Sequence, residues 1–442
     1  MLKIGDTVTT KIECQKYTVM KLIGQGGQGH VFLLEHHNRG KKALKWYLPE
    51  QSTEQQYNAI LAAIRAGKPM TADGTQFIWP QDIIEIDGRF GYVMDLIPSR
   101  FVGYGDMLRD RSLAPTLAMR CRISRRLVRA YQQLHLSGYC YRDISDNNFL
   151  FDPKSGDIVI CDNDNVGVEG VDSSQVLGTL EYMSPEVSTG KCQPGINPDL
   201  YSLAVLLFKF FCWHHPYHGM LEYSVKSWDL CAKRWLYGET PIFIFDPRDK
   251  RNRLPDADGY RDVNKMWMLL PSVLRDAFTQ SFTEGIHNPF ARLKEHDWEE
   301  VLCEASDKLM VCEKDNAENF YDGRDSKCWY CGSTLGTPDT MSINSPYGVR
   351  TILLGNGSVV FGDQVNGLDI GLGMDDVVGV VQQSNGKRVL LNSGPSAWAF
   401  RFGETSGSIE CGSSIELRDG LKVKFSKNAV GTIFRGGGTN SV

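Results

Sequence analysis

Hydrophobic and polar residues follow two different patterns along the first 300 residues. Up to about residue 100, short apolar and β-branched runs such as YTVMKLIG, HVFLLEHH and GYVMDLI are separated by glycine turns, which predicts a mostly antiparallel sheet. One segment differs: STEQQYNAILAAIRAG has candidate N-caps in Ser52 and Thr53, apolar residues at helical spacing, and Gly67 at its end. These signals predict one helix within the sheet region.

From about residue 110 to residue 300 the pattern is helical. In LAMRCRISRRLVRAYQQLHLSG, apolar residues recur every three or four positions, on the face formed by Ile123, Leu127, Tyr131 and Leu134. The apolar run Leu200 to Trp213 is too short to cross a bilayer and predicts a buried helix. The change from sheet to helix indicates two lobes.

Several arginines crowd the first of these helices. They are Arg120, Arg122, Arg125, Arg126 and Arg129. Two interpretations are open: a solvated helix face, or a docking site for an acidic partner.

After Trp298 the composition shifts to Gly, Ser and Asn, and strand-like alternation appears in AWAFRFG and GLKVKFSK. In the second of these, Leu421, Val423 and Phe425 alternate with lysines, which is typical of a strand with one buried face. The sequence therefore predicts a separate all-β unit, followed by a flexible end at GGGTNSV.

Composition limits the class of protein. A chain of 442 residues predicts two or three domains, and 42% hydrophobic with 23% charged residues is typical of a globular protein. The net charge of -5 argues against a nucleic-acid or anionic-membrane partner.

The first residues lack a secretory signal, so we expect a cytoplasmic protein whose cysteines are thiols. Eight of the twelve, from Cys14 to Cys303, are scattered singly and are expected to be small buried hydrophobes.

Glycines between two predicted strands form the first candidate site. In GQGGQGHV, Gly24, Gly26, Gly29 and Val31 predict a hairpin whose backbone can close over phosphates, although a purely structural turn is the alternative. A dinucleotide site would require a helix directly afterwards, and VFLLEHH predicts a strand instead. Lys45 then lies in the apolar run ALKWY, where an ammonium group is costly unless it faces a ligand or carboxylate.

Two downstream segments carry a family resemblance. In CYRDISDNNFLFD, Asp143 and Asn148 have the spacing of the aspartate and asparagine in the H-R-D-x-x-x-x-N catalytic loop of protein kinases. In IVICDNDNVG, Asp162 occupies the position of the metal-binding DFG aspartate, with an Asp-rich turn as the alternative. The chain thus resembles a protein kinase from about residue 15 to residue 300.

Other kinase-like segments follow in the same order. GTLEYMSPEV resembles the end of an activation segment, and NPDLYSLAVLLFKFF resembles the helix that begins with a structural aspartate, here Asp199. The resemblance implies a buried ion pair between Glu186 and Arg292. It also implies an α+β, bilobal fold over residues 1–300, with a small lobe at about 1–97 and a large lobe at about 98–300.

The resemblance implies a role for each site residue. Lys45 would bind the α- and β-phosphates of ATP, Asp143 would accept the substrate hydroxyl proton, and Arg142 would hold a phosphorylated or acidic activation segment. Asn148 and Asp162 would bind magnesium or manganese. The residues expected around the nucleotide are Gly24, Gly26, Gly29, Val31, Met94 and Leu96. Ser173, Ser174 and Thr179 are candidate autophosphorylation positions.

The sequence also departs from the kinase pattern. Tyr141 and Ser145 replace the catalytic-loop histidine and a nearby lysine, and Asn163 and Asp164 replace the phenylalanine and glycine of DFG. Asp164 could add a further oxygen ligand to the metal.

The helix glutamate that would pair with Lys45 is Glu54, with Gln56 as a competing alignment. Two functions stay open. One is an ATP-dependent serine/threonine protein kinase with a C-terminal docking region, and the other is a pseudokinase scaffold that binds nucleotide and partners.

Behind this region lies a candidate metal site. Cys312, Asp315, Cys328 and Cys331 form C-x2-D-x12-C-x2-C, which is close to a zinc ribbon with one carboxylate ligand. We expect a structural zinc within residues 301–344, with free thiols as the alternative.

Residues 345–435 resemble a forkhead-associated β-sandwich, most clearly in KRVLLNSG and SIELRDGLKVKF. The phosphothreonine-reading arginine and the Ser-Arg-x-x-His stretch of that family have no counterparts: Gly362 is followed by Asp363, and MDDVVGVV lacks both residues. We therefore expect a docking or scaffold role, with residues 436–442 as a flexible tail.

Together with NFYDGRDSKCWYCG, the kinase region resembles kinases of bacterial three-protein modules of tellurite and stress resistance. That resemblance implies a von Willebrand A protein and a metal-dependent phosphatase as partners, besides the protein substrate.

Overall fold

A computed structural model describes residues 2–71, 74–170, 178–323, 326–346, 348–365 and 372–436. The chain divides into two compact units. The first unit comprises Met1–Pro115, Ile123–Asn264 and Ala277–Glu299, and the second comprises Thr116–Arg122, Lys265–Asp276 and Glu300–Val442.

Two of the candidate autophosphorylation positions, Ser173 and Ser174, lie outside the described residues.

The first unit begins with an antiparallel sheet, as predicted. Its strands are β1 (Thr7–Thr9), β2 (Lys16–Gln25), β3 (Gly29–His36), β4 (Gly40–Tyr47), β6 (Asp82–Ile86) and β7 (Arg89–Asp95), with β5 (Thr75–Phe77) outside it. Their order is β1-β2-β3-β4-β7-β6. The register pairs Lys45 of β4 with Val31 on one side and Tyr92 on the other, so the lysine lies in the interior of the sheet.

The predicted helix interrupts this sheet as α1 (Glu54–Ala66). The Thr53 side chain accepts a hydrogen bond from the amide of Gln56, which is an N-cap interaction. Gly67 ends the helix with a φ of 76°, a conformation that favours glycine. Ser52, the other candidate cap, instead accepts a hydrogen bond from the amide of Phe90 at 3.1 Å.

Helices dominate the following part of the chain. They are α2 (Tyr104–Arg109), α3 (Leu117–Leu136), α4 (Pro185–Ser188), α5 (Ile196–Cys212), α6 (Met220–Tyr223), α7 (Leu230–Arg234), α8 (Asp258–Leu269), α9 (Ser272–His287) and α10 (Glu295–Asp307). Short strands lie between them: β8 (Val102–Gly103), β9 (Tyr139–Cys140), β10 (Phe149–Phe151), β11 (Ile158–Ile160) and β12 (Gly167–Val168). The predicted face of α3 is fully buried at all four positions, and α5 is buried from Asp199 to Cys212.

One of the two interpretations of the arginines, and the expectation for some of the single cysteines, were wrong. Arg125 and Arg126 are buried, Arg125 and Arg129 both bind Glu299, and Arg126 donates to the carbonyl of Ser155, so these arginines do not form a solvated face. The long guanidinium side chains cover apolar surface while they satisfy internal acceptors. Among the single cysteines, Cys14, Cys192 and Cys231 are exposed rather than buried.

The second unit contains the predicted β-rich region. A hairpin of β13 (Leu309–Val311) and β14 (Glu318–Phe320) comes first. One sheet has the order β16-β15-β24-β23-β20-β21 and another has β17-β18-β19-β22. Their strands are β15 (Asp339–Ser345), β16 (Gly348–Leu354), β17 (Val359–Phe361), β18 (Val377–Ser384), β19 (Lys387–Asn392), β20 (Trp398–Phe402), β21 (Thr405–Ile409), β22 (Ser414–Glu416), β23 (Lys422–Lys424) and β24 (Val430–Phe434).

Both sheets contribute residues to one hydrophobic cluster, as in two sheets packed face to face. Leu421, Val423 and Phe425 belong to it, and the neighbouring Lys422 and Lys424 are exposed, as the alternation predicted. The first strand begins at Asp339, six residues before the predicted start of this region.

Among the residues described, no helix has both the length and the apolar character needed to span a bilayer.

Candidate active site

Lys45 is the centre of the first group of site residues. Its ammonium donates to Asp162 and also lies 2.8 Å from Asp164 Oδ2 and 2.7 Å from Gln28 Oε1. We call Lys45, Gln28, Asp162 and Asp164 the lysine cluster. Burial disfavours the charged ammonium, but the charges of Asp164 and Asp162 outweigh it, and the pKa of Lys45 is raised.

Asp162 is held in a strained backbone conformation. Its φ of 60° is left-handed, and it precedes a 3-10 turn at Asn163–Asn165. Asn163 fixes this turn, because its amide donates to the carbonyls of Ile78 at 2.8 Å and Ile160 at 2.9 Å. Burial, together with the charge of Asp164, raises the pKa of Asp162 to about 6. The buried asparagine therefore uses hydrogen bonds where the kinase pattern has a packed phenylalanine.

Asp143 and Asn148 form the second group. The Asn148 amide donates to Asp143 Oδ2 at 3.0 Å and to the Asp143 carbonyl at 2.9 Å. Thr179 donates to Asp143 Oδ1 through both its amide and its hydroxyl, each at 2.8 Å. Burial raises the pKa of Asp143, while the charge of Lys45 opposes that shift, so the two groups of side chains are close enough to interact.

A buried polar network supports the loop that carries Asp143. Asp199 accepts hydrogen bonds from the amides of Tyr141 at 2.6 Å and Arg142 at 3.0 Å, and Arg142 has a left-handed φ of 70°. His135 binds Asp199 at 3.2 Å on one ring nitrogen and Glu295 on the other. Burial opposes a charged imidazole, but the hydrogen bonds to Asp199 and Glu295 raise the pKa of His135 to about 9.

Tyr141, which replaces the catalytic-loop histidine, connects the two groups. Its ring is fully buried, and its hydroxyl donates to the carbonyl of Cys161, the residue before Asp162. The substitution therefore keeps a polar link between the catalytic loop and the segment with Asp162.

The glycine hairpin joins β2 to β3. A Cβ atom at Gly29 would lie 2.5 Å from the carbonyl oxygen of Trp46, so the paired backbones require glycine there. A Cβ atom added at Gly26 would have no neighbour within 4 Å among the residues that the structure describes, and one at Gly24 would lie 3.6 Å from the Val31 side chain. Gln28, at the hairpin tip, reaches Lys45.

Apolar residues predicted to surround the nucleotide belong to one cluster. Met94 is buried in it, and Val31 and Leu96 pack against it. Ala43 belongs to the same cluster, and Leu150 and Cys161 pack against it, so strands β3, β4, β7 and β10 all contribute to it.

The structure does not bring Glu54 to Lys45. Glu54 is the exposed first residue of α1. Gln56 faces the site instead, and its amide donates to the Tyr47 hydroxyl at 3.0 Å and to the Asp164 carbonyl at 3.4 Å. The expected helix glutamate is therefore corrected: a helix turns about 100° per residue, so a shift of two positions changes the face.

The other predicted structural residues are paired. Arg292 binds Glu186 through two parallel bonds, at 2.8 and 2.9 Å. Arg142 places its guanidinium against the carbonyl of Val168 at 3.4 Å, next to Gly167. Its role in holding an activation segment stays a prediction.

The candidate metal ligands of the second unit also come together. One ligand atom from each of Cys312, Asp315, Cys328 and Cys331 lies within 4.8 Å of the other three. We call these four residues the cysteine cluster. Asn319 donates to Cys328 Sγ at 3.6 Å, and the Gly332 amide donates to the Cys328 carbonyl at 2.8 Å, which fixes the turn between the two cysteines.

Three residues of the candidate site were not predicted in these roles. Gln28 and Tyr47 are not among the expected site residues, and Thr179 is expected only as an autophosphorylation position. Tyr47 donates to Asp164, and Thr179 holds Asp143. A signal existed for Tyr47, because it lies two residues after Lys45 and so shares its strand face.

Comparisons with known proteins identify the family of the first part of the chain. A family model described as "Protein kinase domain" matches residues 17–239, a range that contains Lys45, Asp143 and Asp162. The DNA damage-responsive serine/threonine-protein kinase RqkA of Deinococcus radiodurans is 26% identical over 253 residues, which cover 55% of this chain and 35% of RqkA.

Two vertebrate proteins are also similar. Ribosomal protein S6 kinase alpha-4 of Mus musculus is 26% identical over 226 residues, covering 47% of this chain and 27% of that protein. Maternal embryonic leucine zipper kinase of Xenopus tropicalis is 23% identical over 205 residues, covering 46% and 30%. The chain thus spans about a third of the length of these relatives.

Proposed function

We propose, from the premise that this chain belongs to the protein kinase domain family, that it transfers the γ-phosphoryl group of ATP to a serine or threonine hydroxyl of a protein. The observation that supports this most is the Asp143 carboxylate, which Thr179 and Asn148 hold from two sides. Fixed positioning of this kind is the main contribution a protein makes to phosphoryl transfer. The serine/threonine preference draws further support from the name of the relative RqkA.

The chain's own groups would act as follows. Lys45 binds the α- and β-phosphates, which compete with Asp162 and Gln28 for its ammonium. Asp143 accepts the proton that the attacking hydroxyl loses, and the pKa raised by burial suits it to this role. The γ-phosphorus forms a bond to the hydroxyl oxygen as its bond to the leaving ADP oxygen breaks. Thr179 keeps the Asp143 carboxylate oriented throughout.

The oxygen atoms of Asp162 and Asn148 are suitable ligands for magnesium. Asp162 offers a carboxylate that is 32% exposed, and Asn148 uses only its amide nitrogen on Asp143, which leaves the amide oxygen for another partner. Carboxylate and amide oxygens are ligands that magnesium or manganese accepts. When bound, the metal neutralises negative charge on the phosphates.

The experiment is phosphate transfer from labelled ATP to the protein itself and to a bacterial extract. We expect wild type to incorporate label and Asp143→Asn to lose about 10³-fold or more of the rate, because the proton acceptor and the site's charge pattern are removed. Asp256→Asn, an exposed aspartate of the same unit, is the matched control and should transfer at the wild-type rate. Equal absence of transfer in wild type and Asp143→Asn, with MgATP binding retained, would refute the proposal.

Absence of transfer by wild type, with MgATP binding retained, would favour the second candidate function, a pseudokinase scaffold. Ser145, in place of the usual lysine, is buried and its hydroxyl has no hydrogen-bond partner within the described part of the chain. The site thus has one fewer cation for the γ-phosphate than the family pattern. Lys45, Asn148 and Asp162 would still bind nucleotide and metal in such a scaffold.

For the cysteine cluster we propose structural zinc. Three thiolates and one carboxylate are suitable ligands for tetrahedral zinc. The proximity of the four ligand atoms supports the proposal. Metal analysis of the purified protein should find about one zinc per chain, reduced in Cys328→Ser and unchanged in Cys411→Ser, whose thiol is single and exposed. A wild-type protein without zinc would rule it out.

For the two-sheet region of the second unit we propose a docking role, with a forkhead-associated-like sandwich as its fold. The proposed partners are the von Willebrand A protein and the metal-dependent phosphatase of bacterial stress modules. The proposed location is the cytoplasm. Co-purification of the wild-type protein with each of these two proteins tests the docking role. Binding of neither partner to wild type would remove the proposal.

A further inference from the structure

Two carboxylates meet the Lys45 ammonium, and they differ in their surroundings. The Asp162 side chain is 32% exposed, whereas the Asp164 side chain is 0% exposed. A ligand can reach Asp162, but Asp164 is enclosed by protein. The two aspartates therefore have different partners available when a nucleotide and metal enter the site.

Asp164 is held in place by groups from two elements. Its Oδ2 accepts from Lys45 at 2.8 Å and from the hydroxyl of Tyr47, both on β4. Gln56 of α1 donates to the same tyrosine hydroxyl at 3.0 Å and to the Asp164 carbonyl at 3.4 Å. Helix α1 thus contributes a neutral amide here, and the negative charge comes from the turn after Asp162.

A buried ammonium without a carboxylate partner is costly. If Asp162 turned to a metal ion, Lys45 would lose one of its two charged partners. Asp164 would remain, because its enclosed oxygen is already bonded to Lys45 and Tyr47.

We propose that Asp164 is the resident counter-ion of Lys45, a positioning residue that supplies the negative charge which α1 does not bring to Lys45 and that leaves Asp162 available for metal. Asp164 acts through Lys45 and does not touch the reacting atoms. This inference rests on the proposed nucleotide site. It replaces the expectation from the sequence that Asp164 would itself bind the metal.

The second oxygen of Asp164, Oδ1, is buried and has no hydrogen-bond partner among the described residues. A metal ion is the alternative partner for this oxygen. The test must therefore separate a counter-ion of Lys45 from a metal ligand.

The test is a double-mutant cycle between Asp164→Asn and Gln56→Glu, read by MgATP binding, by KM for ATP and kcat, and by the magnesium concentration that gives half-maximal binding. Asp164→Asn should reduce kcat/KM on the order of 10²-fold, since a misplaced Lys45 no longer orients the phosphates. Its half-saturating magnesium concentration should equal that of wild type. Glu50→Gln, an exposed carboxylate before α1, is the matched control and should change nothing.

Gln56→Glu should have effects of opposite sign in the two backgrounds. In wild type it adds a negative charge beside Asp164 and should weaken MgATP binding several-fold. In Asp164→Asn it returns a carboxylate to the Tyr47 hydroxyl and should recover at least part of the lost affinity. The effect of Gln56→Glu in the Asp164→Asn background can be measured even if Asp164→Asn lowers the stability of the protein. Both proteins compared in that background carry the Asp164→Asn substitution.

Three results would overturn the proposal: wild-type behaviour of Asp164→Asn, recovery of that variant by excess magnesium, or the same effect of Gln56→Glu in both backgrounds. Failure of the proposed function gives a different result. Wild type would then bind MgATP without transferring phosphate, and the binding measurements alone would still decide the role of Asp164.

Discussion

The lysine cluster and the cysteine cluster are both groups of polar side chains held close together, but different forces position them. Around the lysine cluster, Tyr47 and Tyr92 belong to a hydrophobic core shared by strands and helix α1. Around the cysteine cluster, the buried residues are Met310, Cys312, Cys328 and Leu335, so two of the four are themselves candidate ligands. The first site is positioned by its core, whereas the second would include its proposed zinc in the core.

This difference predicts which perturbation each site tolerates. Removing one charged group from the lysine cluster should change chemistry and leave the surrounding sheet folded. If the cysteine cluster binds the proposed zinc, removing the metal should unfold the local structure. The apolar core there is small and includes candidate ligands, so by itself it does not offset the conformational entropy lost when the chain around it is ordered.

The largest expected effect comes from removal of the proposed zinc. Apparent binding free energies of about 10 kcal/mol or more are known for structural zinc in small domains, and most of that is folding free energy. Chelation or Cys328→Ser should therefore abolish amide hydrogen-exchange protection in Leu309–Val311 and Glu318–Phe320. Strand β4, which carries Lys45, should keep its protection. The proposed contrast between the two clusters is wrong if the β13–β14 hairpin stays protected without metal. It is also wrong if β4 loses its protection when the hairpin does.

A smaller effect is expected from the network behind the catalytic loop. His135 has a folded pKa of about 9 and an ordinary value of 6.5, so its contribution to stability is fully present below about pH 6.5 and is lost as the pH rises through 9. The shift corresponds to about 3 kcal/mol of unfolding free energy. Denaturant unfolding between pH 6 and 10 should show this decline in wild type.

His135→Asn provides the control, because asparagine does not titrate. The difference in unfolding free energy between the two proteins should shrink as the pH rises. Parallel curves across this range would mean that the imidazole between Asp199 and Glu295 is neutral, and the network would then hold the loop without charge.

The sequence predicted those parts of the site that depend on local spacing. Asp143 and Asn148 are five residues apart and bond to each other, and the two cysteines of C-x2-C enclose one tight turn. The helix cap at Thr53 and the buried face of α3 follow from local patterns in the same way.

The missed contacts join residues far apart in sequence. Lys45 and Asp164 are separated by 119 positions, and Thr179 and Asp143 by 36. Which carboxylate reaches the ammonium depends on a left-handed φ at Asp162 and on the rotation of α1, and neither is encoded in the spacing of charged residues. The rotation of α1 also explains why Glu54 does not pair with Lys45. The helix was predicted correctly, but Glu54 is its first residue and is exposed.

The smallest predicted effect concerns the frame of the lysine cluster. Gly29→Ala should lower the unfolding free energy by about 1–3 kcal/mol, because its Cβ would lie 2.5 Å from the Trp46 carbonyl oxygen in a paired strand that cannot move independently. Gly27→Ala is the matched control, since no described residue lies within 4 Å of a Cβ there, and it should stay within about 0.5 kcal/mol of wild type. Equal stabilities of the two variants, measured by denaturant unfolding, would show that the backbone next to Lys45 adjusts freely. The lysine cluster would then depend on its own charges, as the cysteine cluster is proposed to depend on its zinc, and the contrast between the two sites would disappear.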